Sequence, residues 1–309
     1  MSPKLLLVYV AGKTSGWLGY EDGMYRFHYS SSRADQTPVS RLMPCSRTFY
    51  ESPSLFPVFA QHLPVGVNRE WLVSHLNIRH LNDGAQNMSL LAASGYNGIG
   101  NCGFVNADAP SLKPRYTVNP RLLLQASDSR AVFMDWRNKY GEQGMGVGGN
   151  GSEDNNLCLL LNTKPAWPVP NVVAVLGGTE NSIQKKVQHL SLVKEAGVLC
   201  PTFELSNDGR VLVLERHDLN AKGQRMPVEG LARLCGLSCT LTSGPSGLLP
   251  AIKPLPLEAE YLVAERVLKV FSARFVHDLK MLKKLQQLPS VRPLRDLCYV
   301  GDQLAVTVI

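Results

Sequence analysis

Apolar positions along the first hundred residues change their period twice. "KLLLVYV" (4–10) and "GWLGYEDGMYRFHYS" (16–30) are runs of Leu, Val, Tyr and Phe interrupted by the turn residues of "AGKTSG" and "EDG". Short runs of that composition, bounded by Gly, Asp and Ser, predict a small antiparallel meander. Between 54 and 93 the apolar residues move to three-to-four spacing, which predicts helices over 54–63, 68–77 and 86–93, broken at 64–66 and 82–84. "SGYNGIGNCGFV" (94–105) then runs through glycine punctuation into a short strand.

Beyond 105 the pattern thins. Residues 106–170 carry little periodicity, and "GEQGMGVGGNGSEDNN" (141–156) reads as a glycine-rich loop ahead of a buried strand, "LCLLLN". "NVVAVLGG" (171–178) is a second buried strand. "SIQKKVQHLSLVKEAG" (182–197) is an amphipathic helix ending on a C-capping glycine. "RVLVLERHD" (210–218) is a further strand, and 257–288 has almost no breaker and predicts long helix. No internal repeat is evident. The expected class is α+β. A meander-plus-helices unit spans 1–107, a loop–strand–strand–helix–strand region 108–250, and a short helical region 251–309.

Composition narrows the classes of function. With 309 residues, 44% apolar and 18% charged, the chain is long enough and apolar enough to fold around more than one core. No run of about 18 apolar residues is present, so no membrane-spanning helix is expected. The apolar run at the N-terminus lacks a small-residue cleavage site and reads as a first strand. The net charge of +7 comes from Lys and Arg spread along the whole chain, with no basic tail. Diffuse basicity of that kind describes a solvated surface and does not call for nucleic acid. Seven cysteines are scattered, and only Cys235 and Cys239 lie close, without the spacing of a zinc site. Reduced thiols in a cytoplasm fit them.

A glycine-rich loop between strands, followed by strand, helix and strand, is the order of a protein-kinase small lobe. The first 105 residues resemble the N-terminal subdomain of the HipA family, the serine/threonine-kinase toxins of bacterial toxin–antitoxin pairs. "LLVYVAGKTSGWLGYEDGMYRFHYS" is similar to that family's opening strands, with their Val-Tyr-x-x-Gly-x-x-x-Gly-x-Leu signature. "LFPVFAQHLPVGVNREWL" resembles its Phe-Phe-x-x-Leu-Leu-Pro-x-Gly-x-x-Arg-x-x-Leu joint. "LLAASGYNGIGNCGFV" resembles its Leu-Leu-x-x-x-Gly-Arg-Asp-Cys-Val-Gly-Ala segment, with Tyr96 and Asn97 replacing the Arg-Asp.

The resemblance implies a kinase-like core binding ATP and Mg²⁺. "VLVLERHDLNAKGQR" is similar to the family's hinge strand and implies Glu215 and His217 beside the adenine. The glycine loop implies Gly148, Gly149, Gly151 and Ser152 around the phosphates; the loop also reads as a surface linker, since Glu153 and Asp154 repel phosphate. "FVHDLKMLKK" is the segment nearest the family's Asp-x-His-x-Lys-Asn and offers Asp278 as base, or as a helix-surface carboxylate pairing with lysines. "VRPLRDLCYV" resembles its Leu-x-Pro-Leu-Tyr-Asp-Leu and implies Asp296 as metal ligand, or as a loop-capping residue.

The departures point away from chemistry. Phosphoryl transfer needs a lysine on the phosphates, a glutamate orienting it, a base and metal ligands. No lysine lies within 171–178, where Val175 takes the phosphate-lysine place, and Lys186 falls where the helix glutamate is expected. The expected function is therefore that of a HipA-like pseudokinase acting by binding a partner. That partner would be an HTH antitoxin or repressor, or an active kinase of the family, with DNA reached through the repressor. The alternative is an active kinase toxin phosphorylating a translation component such as glutamate–tRNA ligase. A third reading is a binding module unrelated to kinases.

Overall fold

The computed structural model of the protein describes residues 3–30, 37–95, 98–108, 116–144, 156–163, 171–179, 181–235, 257–288 and 297–306. The opening meander forms as its pattern requires. Strands β1 (Leu5–Val10), β2 (Lys13–Glu21) and β3 (Met24–Tyr29) join β4 (Phe49–Ser52) and β5 (Cys102–Asn106) in an antiparallel sheet of order β4-β3-β2-β1-β5. Two-residue turns close both hairpins: Ala11 and Gly12 at φ 50° and 81°, Asp22 and Gly23 at φ 52° and 77°. Positive φ at both central residues is the turn geometry that matches strand twist, and Gly and Asp adopt it readily.

One face of this sheet is buried under three helices: α1 (Pro57–Ala60), α2 (Gly66–His75) and α3 (Asp83–Ser94). Asn82 caps α3, its Oδ1 accepting from the Ala85 N–H at 2.9 Å. The helix predicted over 54–63 is one turn long. Pro57 starts it, but at 62–63 the chain tightens to i→i−3 bonds and then reaches Pro64, which cannot continue a helix. Its apolar residues are instead spent on an aromatic cluster. The Phe59 ring, fully buried, meets Phe27, Phe56 and Phe104 edge-on at centroid distances of 5.3, 5.8 and 5.5 Å.

A second sheet has the order β6-β7-β9-β8, formed by β6 (Leu157–Asn162), β7 (Asn171–Leu176), β8 (Phe203–Leu205) and β9 (Val211–Glu215). It is covered on both sides, which is why its inner strands read as unbroken apolar runs. Cys158, Val173, Val175 and Leu212 face Ile183 and Leu190 of α6 (Ser182–Glu195). Leu159, Val172, Ala174 and Val213 face Leu123 and Phe133, which belong to α4 (Arg121–Leu124) and α5 (Ser129–Gly144). Both helices lie in the stretch that showed little periodicity. Helix α5 buries only a narrow stripe, with Phe133 and Trp136 among Arg, Asp, Asn and Lys, too sparse to announce itself. Its first turn is fixed from outside. Asp208 accepts from the Ser129 N–H (2.8 Å) and hydroxyl (2.7 Å). Burial would raise the Asp208 carboxyl, but hydrogen bonds from Ser129, Ser206 and the Arg210 N–H outweigh it and hold it down at about 2.

The third assembly is β10 (Val228–Gly230), β11 (Leu297–Val300) and β12 (Gln303–Val306), an antiparallel sheet packed under α7 (Leu231–Leu234), α8 (Leu257–Phe271) and α9 (Phe275–Gln286). The single helix predicted over 257–288 is two helices. Ser272 breaks it: its hydroxyl accepts from the Arg274 N–H at 3.1 Å and bonds the Asp278 carboxylate, an alternative to the helical ladder. Among the described residues no helix is long and apolar enough to cross a membrane, six cysteines are free, and no His, Cys, Asp and Glu side chains cluster as a metal site.

Candidate functional site

Past the end of β9 the chain turns at 217–218 and buries two opposite charges. Leu212 and Leu214 face α6, and Arg216 and Asp218 follow them at 5% and 0% exposure. Arg216 Nε donates to Asp218 Oδ1 at 2.7 Å, and its Nη2 bonds Asp218 Oδ2 as well as the Gly98 carbonyl at 2.9 Å. The other lone pair direction of Asp218 Oδ2 takes the Gly100 N–H at 2.7 Å. Desolvation pushes the Asp218 carboxyl up. The bidentate guanidinium and the Gly100 N–H pull harder, so its pKa lies below the ordinary carboxylate value.

Gly98 and Gly100 belong to the segment that enters β5, so this ion pair ties the second sheet to the first. Gly100 sits at φ 89°, and a Cβ there would come within 3.3 Å of the Val228 nitrogen. Arg225 completes the joint. The chain turns back through 220–224, where Asn220 Oδ1 accepts from the N–H groups of Lys222 and Gln224. Arg225 then donates to three carbonyls of the same segment: Gly100 (2.5 Å), Gly98 (2.8 Å) and Cys102 (2.7 Å). Two arginines, one aspartate and a glycine loop thus form one network, buried at Arg216 and Asp218 and half-buried at Arg225.

A parallel clamp ties the first sheet to the third. Glu229 accepts from the Ser40 hydroxyl at 2.6 Å and the Arg41 N–H at 3.1 Å. Arg41 reaches on to the Phe271 and Gly301 carbonyls at 2.6 and 2.7 Å, and its guanidinium lies 5.0 Å from the Tyr299 ring centroid. Gln61, from the joint after α1, donates to the Val228 carbonyl at 2.8 Å.

The residues singled out from the sequence divide between described and undescribed parts. Gly148, Gly149, Gly151, Ser152 and Asp296 lie outside the described residues. Glu215 is half-buried at the last pair of β9, its N–H donating to the Thr202 carbonyl at 2.8 Å. His217 follows it on the opposite parity to the ion pair. Its Nε2 is buried without a partner among the described residues, and burial and the Arg216 charge lower its pKa against the pull of Asp218, which keeps the ring neutral. Glu215 and His217 therefore lie together at the end of β9, two residues apart.

Asp278 is elsewhere, on the first turn of α9, 2% exposed and facing the core. Its carboxylate accepts from the Ser272 hydroxyl, and Tyr299 OH lies 3.5 Å away. In β7, Val173 and Val175 are buried among apolar neighbours, and Val175 stands opposite Cys158. The Cys158 thiol is pushed up by burial, and the charge of Lys186 on α6 opposes that push. Sequence reasoning quoted the Arg216, Asp218 and Arg225 pattern only as a hinge motif. The signal that marks it as a joint is a charged pair two residues apart that follows an apolar strand.

Residues 6–105 match the family model described as the HipA N-terminal domain. The whole fold is similar to a chain of the Shewanella oneidensis MR-1 toxin–antitoxin complex of HipA, HipB and operator DNA. The TM-score is 0.63 at 14% identity, covering 98% of this chain and 74% of that one. A solved N-terminal domain of HipA toxin matches 33% of this chain and 88% of its own length at 24% identity, with a TM-score of 0.25. No curated protein matches in sequence.

Proposed function

We propose that this chain, whose residues 6–105 match the HipA N-terminal domain model, is a HipA-like protein that works by binding a partner on a kinase-derived scaffold and transfers no phosphoryl group. The observation that carries the proposal is the apolar character of β7, whose residues Val172 to Leu176 are at most 2% exposed and include no cation. A strand that must hold polyphosphate needs a charge to meet the oxygens, and without one the transferring group is left unneutralised. Asp278 supports the same reading. A carboxylate packed into the core and bonded to Ser272 is committed to shaping the α8–α9 turn, and a base must instead reach the acceptor hydroxyl. The adenine-side features at Glu215 and His217 are compatible with a bound nucleotide that stays intact.

The partners proposed are an HTH antitoxin-type repressor, with DNA reached through it, or an active kinase of the family. The HipA–HipB–operator complex supports the first. In such a module the chain would hold or titrate its partner. An active kinase toxin is the competing reading, and growth separates the two. Induced expression of this chain in a bacterial host leaves the growth rate unchanged. Growth arrest that Asp278→Ala relieves would establish the toxin reading instead.

A further inference from the structure

Helices α8 and α9 turn their buried stripes, including Leu268, Leu282 and Leu285, to one core, so their outer stripes face away from it together. Those outer stripes are unlike an ordinary solvated surface. Leu262, Val270 and Val276 are 58%, 73% and 64% exposed, three of the nine large apolar side chains exposed by more than a third among the described residues. Around them stand exposed Arg266, Lys269, Arg274, Lys280, Lys283 and Lys284. Among the described side chains of the two helices, the carboxylates only partly offset these charges, because Asp278 is buried and Glu265 is half-buried; Glu258 and Glu260 belong to the first turn of α8. Between the helices, at residues 273–277, lies a shallow depression of about 460 Å³.

We propose that this face docks an acidic, amphipathic helix of a protein partner. The claim deepens the binding role argued above and locates where a partner sits. Cations alone would suit any polyanion, but a phosphate backbone has no use for exposed Leu and Val, whereas a helix presents an apolar seam flanked by charge. Leu262 and Val270 are eight residues apart, about 12 Å along α8, close to the roughly 11 Å spanned by two helical turns of a partner. The depression at 273–277 accepts a side chain from that seam beside Val276. Glutamates flanking the seam meet the lysines and arginines at its rim, which sets orientation and association rate. A second copy of this chain would bring the same cations to the face, so symmetric self-association is disfavoured by like charge.

The probe is a fluorescent synthetic helical peptide with leucines on one seam and glutamates beside it, titrated with the intact chain and read by anisotropy. Controls are the lysine-for-glutamate peptide, a leucine-free glutamate peptide and a random-sequence DNA duplex. The Glu/Leu peptide binds, and both Val270→Ser with Val276→Ser and Lys269→Glu with Lys280→Glu weaken it about tenfold or more. These positions are exposed, so circular dichroism and melting temperature stay at the parent values. The proposal is overturned if the peptide does not bind, if the leucine-free peptide or the duplex binds as tightly, or if the unliganded chain dimerises through this face. A failed titration leaves phosphoryl transfer unaddressed, so this claim and the catalytic silence of the fold fail separately.

Discussion

Asp218→Ala lowers the free energy of unfolding by about 3–5 kcal/mol, because it leaves the Arg216 guanidinium buried without its counter-charge. It also removes the acceptor of the Gly100 N–H, so the segment entering β5 loosens from β9. Replacing both charges, Arg216→Met with Asp218→Leu, restores most of that loss, since an apolar pair of similar volume carries no desolvation penalty. Urea denaturation of the three proteins measures it; a double variant as unstable as the single one contradicts it. The pH dependence has a definite sign. The folded carboxyl titrates below its unfolded value, so its stabilisation is complete above the ordinary carboxylate range and is lost as the pH falls through the folded pKa. The parent urea midpoint therefore drops on acidification below about pH 4 more steeply than that of the double variant.

Phe59→Ala costs about 3–5 kcal/mol, the range for deleting a fully buried aromatic ring. Three neighbouring rings, Phe27, Phe56 and Phe104, hold the cavity walls apart, so little collapse relieves it. Phe59→Leu, which keeps most of the volume, costs less than half as much. Equal losses for the two variants would mean that the ring is not the keystone of the first sheet's helical cover.

How far the sequence discloses this depends on where the information is local. The hairpins of the first sheet follow from Gly12 and Gly23, each of which supplies positive φ at a turn between alternating runs. The apolar runs of β6 and β7 follow from burial on both faces. Helix α5 is not legible, because its stripe is narrow and its first turn is anchored by Asp208, 79 residues away in sequence. The break in 257–288 hides in a lone serine, an effect that becomes visible only once Ser272 is seen bonding Asp278. The candidate site shows the same division. Glu215 and His217 at the end of β9 come from a motif of consecutive residues. The joint around them does not, because its acceptors at Gly98, Gly100 and Cys102 are more than a hundred residues from the arginines they meet.

The most direct measurement for the account as a whole is transfer of the terminal phosphate of radiolabelled Mg·ATP to this protein and to a mixed bacterial lysate. The apolar β7 and the buried Asp278 predict no label on either, with the same result for Asp278→Ala. Label that appears with the parent protein and vanishes with Asp278→Ala or Asp296→Ala contradicts it.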